Sequence, residues 1–202
     1  MKSKSLLIIG GTGFFGKSIL DYFQRKNPLK IDKIIILSRK ARNIKIDRIL
    51  KKRIKIIKVS GNIVKLKKLP KADYIIYAAI LKNYNKDLKA VKNYLSLAVK
   101  YHLNSKILYI SSGAVYGIQK SNVKKFEENY FEKYKKKNFR DGYKKNYSKI
   151  KLKNESLFKA FSHNRKLNVS IARCFSFVGQ HLPLTKHYVI GNIINSILQK
   201  KI

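Results

Sequence analysis

Near its start the chain has an apolar run, Leu6-Leu7-Ile8-Ile9, that ends directly in Gly10-Gly11-Thr12-Gly13-Phe14-Phe15-Gly16 and passes into a stretch of helical period. No other feature constrains the fold as strongly. Glycines at these places allow a tight turn, close approach of a pyrophosphate to the backbone, and close packing of helix on strand. Unpaired N–H groups at the start of the helix would then hold the phosphate. A lone G-x-G-x-x-G is a weak signal, but here the strand–turn–helix context it needs is present. Gly10, Gly13, Phe14, Phe15 and Gly16 are therefore candidate dinucleotide-binding positions, with a purely structural turn as the alternative.

The rest of the chain repeats this alternation. Apolar runs of strand length fall at residues 6–9, 33–37, 54–59, 74–79, 106–111 and 169–175. Segments of helical period fall at 14–26, 87–102, 147–161 and 187–200. Strands that are apolar on both faces and separated by helices predict a parallel sheet covered by helices. Right-handed crossovers then favour a doubly wound α/β fold, Rossmann-type, with helices on both faces. Two stretches do not fit a compact unit. Residues 40–53 are basic and weakly periodic, and residues 119–146 read as a lysine-rich surface insertion, with a lid over the site as the alternative.

Charge first suggests a polyanion partner, since 47 Lys and Arg stand against 10 Asp and Glu, for a formal charge of +37. However, 39 of the 47 are Lys, and Arg is the residue suited to reading phosphates and base edges. The chain is also rich in Ile and Asn (27 and 16) and holds only 9 Ala and 3 Pro, the signature of A/T-rich codons. Base composition therefore explains the charge better than a selected nucleic-acid surface, and no specific nucleic acid is expected. The single Cys174 suits a reducing compartment, and no apolar run is long enough for a signal core or a membrane span, so a soluble, cytoplasmic protein is expected. The four His are scattered without carboxylate or Cys at ligand spacing, so no metal site is expected. The second strand runs into Ser38-Arg39-Lys40 with no carboxylate to hold a ribose. Arg39 could accept a 2′-phosphate, so the cofactor reads as NAD or NADP with a slight lean to NADP.

Taken in order, GGTGFFG, then SSGAVYG at 111–117, then Tyr147-x-x-x-Lys151, then the run from Arg173 to Gly179 resemble the extended short-chain dehydrogenase/reductase family. Within it the chain is most similar to the NAD-dependent epimerase/dehydratase group, which modifies nucleotide-activated sugars. Two other Tyr-x-x-x-Lys matches start at Tyr22 and Tyr116, but only Tyr147 lies downstream of the serine-bearing strand and carries Glu155 four residues past its Lys. The resemblance implies catalytic roles for Ser112, Tyr147 and Lys151. Tyr147 would exchange a proton with a sugar hydroxyl, Lys151 one helical turn away would favour the phenolate, and Ser112 would hold the reacting oxygen. Ser112 as a strand-end cap is the plainer alternative. The resemblance also implies cofactor contacts from Asn62 and Ile63 after the third strand and from Ala78 and Ala79 after the fourth.

Departures refine the expectation. The Asp-Glu pair that serves dehydration in this group reads Gly113-Ala114 here, which favours epimerisation or ketone reduction through a 4-keto sugar. Tyr77 takes the place of a usual His, and Ser176 that of a usual Asn. Members continue into a substrate-binding domain, so the resemblance divides this chain into a cofactor-binding domain at 1–175 and the beginning of a substrate region at 176–202. It implies a nucleotide-sugar partner and leaves a homodimer open. Two other functions stand beside the enzyme: a non-catalytic dinucleotide-binding regulator or partner subunit, and a basic nucleic-acid-binding module.

Overall fold

The computed structural model describes residues 3–117, 124–128, 143–184 and 188–199, with side chains from 146 onward in the third stretch. The chain divides into two compact units: Met1–Gly61 with Ala72–Ala79 and Ser176–Ile202, and Asn62–Lys71 with Ile80–Phe175.

The first unit holds β1 (Lys4–Ile9), β2 (Ile31–Ser38), β3 (Lys55–Ser60) and β4 (Tyr74–Tyr77), all parallel, in the order β3-β2-β1-β4. Leu6 to Ile9 and Ile34 to Leu37 are buried along their whole runs, which is why these segments read as unbroken apolar stretches rather than alternating ones. From β1 the chain winds outward through β2 to β3, then returns to place β4 on the other side of β1. The winding therefore reverses between β1 and β4, at whose carboxyl ends ligands bind in open α/β sheets. Helix α1 (Phe14–Arg25) directs Leu20 and Phe23 into the core. The edge at the start of β1 is tied by carboxylates: Asp73 accepts from both the amide and the hydroxyl of Ser5, at 2.8 and 2.7 Å, and Asp32 accepts from the amide of Lys4.

Residues 40–53, expected to lie outside a compact unit, are instead part of this core. Ala41 starts a 3₁₀ turn, Asp47 caps the short helix α2 (Arg48–Arg53) by accepting from the amide of Ile49, and Ala41, Ile44, Leu50 and Ile54 are buried. Lysines and arginines between them occupy the solvent side and hide the apolar spacing from a periodicity reading.

The second unit pairs β5 (Lys106–Ser112) with β6 (Asn168–Cys174) in parallel, and adds α3 (Tyr84–Tyr101) and α4 (Tyr143–Arg165). Ala90, Val91, Tyr94, Leu95 and Ala98 of α3 are buried, and Phe158 of α4 stacks on Tyr109 of β5 at 4.4 Å. Helix α3 starts one turn before the expected residue 87, because Asn83 caps it by accepting from the amide of Lys86. Helix α4 likewise extends beyond the expected 147–161 at both ends. A last helix, α5 (Val189–Leu198), closes the described part of the first unit. Parallel strands joined by helical crossovers make this the doubly wound, Rossmann-type α/β fold expected from the alternation. Most of residues 119–146 lie outside the described residues, and so does His187.

Candidate active site

In the first unit, the glycine turn joins β1 to α1. Gly10 has φ +85°, and a β-carbon on it would stand 2.7 Å from the backbone nitrogen of Ala79. The end of β4 thus passes directly against the turn, and the amide of Ala78 donates to Ile9 at 2.9 Å. A β-carbon on Gly16 would overlap the backbone of Gly11, so α1 rests on the turn itself. Gly13 differs: a β-carbon there would meet only the oxygen of Gly10, at 3.4 Å, which leaves open space above it. Gly13 is also the N-cap of α1, with no side chain capping the helix, so the amides that open α1 are available to a ligand. Open space over uncapped amides fits a pyrophosphate.

Two of those amides belong to Phe14 and Phe15, whose rings pack edge-on with Phe177, at 5.8 and 4.8 Å between centroids. Thr12 and Ser38 share a hydrogen bond of 2.8 Å, which ties the turn to the end of β2. Arg39, the next residue, is exposed, and no carboxylate pairs with it among the described residues. Farther along α1, Asp21 meets Nε2 of His181 at 2.6 Å.

The second unit carries the other candidates. Asn62 is exposed and its Oδ1 accepts from the amide of Val64 at 3.1 Å, which leaves one lone pair of that oxygen for a ligand. Ile63 is buried, and its carbonyl accepts from the Asn93 side chain at 2.7 Å. Ser112 ends β5 in register with Cys174. Its Oγ accepts from the amide of Ala114 at 3.2 Å and so caps the 3₁₀ turn Gly113–Tyr116. A β-carbon on Gly113 would meet the ring of Phe175.

Tyr147 and Lys151 share a face of α4, with the Lys151 amine 5.9 Å from the centre of the Tyr147 ring. Lys151 is 4% exposed and donates to the carbonyl of Ile110 at 2.7 Å. Burial pulls its pKa down to about 8, against the opposing charges of Asp87, Cys174 and Glu155.

Two buried carboxylates beside this cluster were not read as site residues from the sequence. Glu155 accepts from Ser111 at 2.5 Å and from two nitrogens of Arg173, the nearer at 2.9 Å. Arg173 continues to the Tyr116 hydroxyl and the Glu128 carbonyl, at 2.8 and 2.7 Å. Burial opposes the charge on Arg173, but its bonds to Glu155 and Tyr116 win and raise its pKa. Asp87 of α3 is 1% exposed and accepts from the Leu81 amide at 2.5 Å and from the Asn154 side chain at 2.7 Å. The four-residue step from Lys151 marked Glu155. Nothing in its local pattern marked Asp87, which reads as an ordinary acid in a helix's first turn.

A family model described as NAD dependent epimerase/dehydratase family matches residues 6–202. No curated protein matches the chain. Among solved structures, UDP-N-acetylglucosamine 4-epimerase from Methanobrevibacter ruminantium M1, in complex with UDP-N-acetylmuramic acid, is 24% identical with a TM-score of 0.70. That alignment covers 99% of this chain and 64% of the epimerase. The dTDP-glucose 4,6-dehydratase from Bacillus anthracis, in complex with NAD, is 18% identical with a TM-score of 0.71, over 98% of this chain and 62% of that one. RMD from Pseudomonas aeruginosa, complexed with NADPH, is 19% identical with a TM-score of 0.68, over 98% and 63%. These likenesses establish the fold; the chain spans less than two thirds of each solved relative.

Proposed function

Since the chain belongs to the NAD-dependent epimerase/dehydratase family, we propose that it binds NAD or NADP and acts on a nucleotide-activated sugar, by epimerisation or reduction through a 4-keto sugar. The observation that carries the reading is Lys151, an amine buried within the second unit beside the Tyr147 ring. Burying an ammonium is costly even when it is hydrogen-bonded, and a perturbed amine beside a tyrosine that can shed and regain a proton marks a candidate catalytic set.

The amides opening α1, with the backbone from Gly10 to Gly13, would hold the pyrophosphate, and Ala78 and Ala79 would line the same turn. Exposed Arg39 would meet a 2′-phosphate, which keeps the slight lean to NADP. When bound, the nicotinamide supplies the hydride acceptor and donor. Tyr147 takes the proton from the sugar hydroxyl and returns it, and Lys151 favours the ionised phenol. Ser112 accepts from Ala114, so its own hydroxyl hydrogen is the part that can steady the sugar oxygen. Gly113 and Ala114 put no carboxylate next to Ser112, which supports epimerisation or reduction over dehydration. The residues 1–175 remain our assignment for the cofactor domain, with 176–202 opening the substrate region.

The test is binding and turnover together. NADH and NADPH titrations should show fluorescence-detected binding, and Tyr147→Phe should keep that binding while losing turnover of a UDP- or dTDP-sugar by about a hundredfold or more. Turnover unchanged in Tyr147→Phe removes Tyr147 from the mechanism. Binding without turnover of any nucleotide sugar assigns the protein to the second reading, a regulator or partner subunit.

A further inference from the structure

The second unit gathers two cations, buried Lys151 and part-buried Arg173, and two buried carboxylates at the junction of α3, α4, β5 and β6, and they do not pair evenly. Glu155 is joined directly to Arg173, through three contacts between guanidinium and carboxylate, and takes a further bond from Ser111. Its charge is largely matched there. Asp87 is different, because its donors among the described residues, the Leu81 amide and the Asn154 side chain, are both neutral. A carboxylate that is 1% exposed and bonded only by neutral groups has no counter-charge bonded to it. The cation left over is Lys151, whose amine donates to a neutral acceptor, the Ile110 carbonyl. Asn154 stands three residues beyond Lys151, on the same side of α4, and its side chain reaches Asp87 across the α3–α4 packing.

We propose that Asp87, held by Asn154, is the positioning residue of Lys151: its buried carboxylate balances the Lys151 charge, and its bond across to α4 fixes the helix that carries both Lys151 and Tyr147. The proposal deepens the reading of Lys151 as part of a catalytic set and rests on it for its significance, but not for its test. Groups facing Lys151 from the packed elements are Asp87 of α3, Tyr147 and Glu155 of α4, Tyr109 of β5 and Cys174 of β6. Among the acids, Asp87 is the strongest influence keeping the amine protonated, ahead of Glu155, as the uneven pairing requires. In return, burial raises the Asp87 pKa against the bonds from Leu81 and Asn154 and, behind them, the charge of Lys151.

The titration of Lys151 can be followed without any turnover. With ¹³C-labelled lysine, one Cε resonance should titrate near 8, and Lys151→Met should remove it. In Asp87→Asn, which keeps the side-chain shape, that resonance should lose proton affinity by at least about tenfold. Glu155→Gln should move it less. An unchanged Lys151 midpoint in a folded Asp87→Asn protein overturns the proposal. Should that variant not fold, the reciprocal measurement decides: Lys151→Met should raise the Asp87 carboxyl midpoint, read from its ¹³Cγ shift, and an unmoved midpoint sinks the coupling. Where turnover exists, Asp87→Asn should shift the pH profile of kcat in the same direction as the amine. Lack of turnover in the parent protein counts against the enzymatic reading alone and leaves the Asp87–Lys151 result standing.

Discussion

Single residues carry most of the chemistry here, and several carry it through backbone rather than side chain. Gly10→Ala forces a side chain at φ +85° into the Ala78–Ala79 backbone. It should cost about 1–3 kcal/mol, seen as a lower thermal midpoint, and should weaken NADH binding as well. A destabilised variant with unaltered NADH binding would show that the turn is structural only. His102 offers a pH test. It is fully buried, its Nε2 meets the Pro70 carbonyl at 2.9 Å, and burial lowers its pKa below 6.5. Between the lowered folded value and the unfolded one, the unfolded chain binds more protons, so stability should fall as pH drops through that window. Urea unfolding at several pH values should show this slope, and His102→Gln should flatten it. The glycines were legible in the sequence because a turn of that kind needs them at fixed spacing. Asp87 was not, because burial of an acid is decided by what α4 brings against it, far along the chain.

Among elements, the strands were the most legible, since buried parallel strands appear as plain apolar runs. All six expected runs are strands, with ends moved by a residue or two, as at β2, which spans Ile31–Ser38 against the expected 33–37. Residues 40–53 read as lying outside a compact unit because the charge of their lysines and arginines outweighs three buried apolar positions, Ala41, Ile44 and Leu50. Leu50, fully buried, is the sharpest test of the corrected reading. Leu50→Ala should cost about 2–5 kcal/mol by chemical denaturation, whereas a loop outside the core would lose almost nothing. Helix α5 was anticipated near its place, but its exposure was not: Val189, Ile193 and Ile197 share a face, and each is more than half exposed. Periodicity marks an apolar face and says nothing of whether anything covers it.

For the whole molecule, +37 should produce attachment to any polyanion at low salt. Retention on heparin or duplex DNA should fall steeply and without sequence preference between about 50 and 200 mM salt. Selective binding that survives that range would revive a nucleic-acid function. The surplus also lends meaning to its counterpart. Of the chain's 10 acidic residues, Glu127, Glu128, Glu132 and Asp141 fall within 119–146. Every one of the others accepts a hydrogen bond that joins two parts of the chain or caps a helix. Asp21 meets His181, Asp32 holds Lys4, Asp47 caps at Ile49, and Asp73 holds Ser5. Asp87 holds Leu81 and Asn154, and Glu155 holds Ser111 and Arg173. In a chain so rich in lysine, each of these acids is a landmark. The negative residues, few as they are, map the joints of this fold.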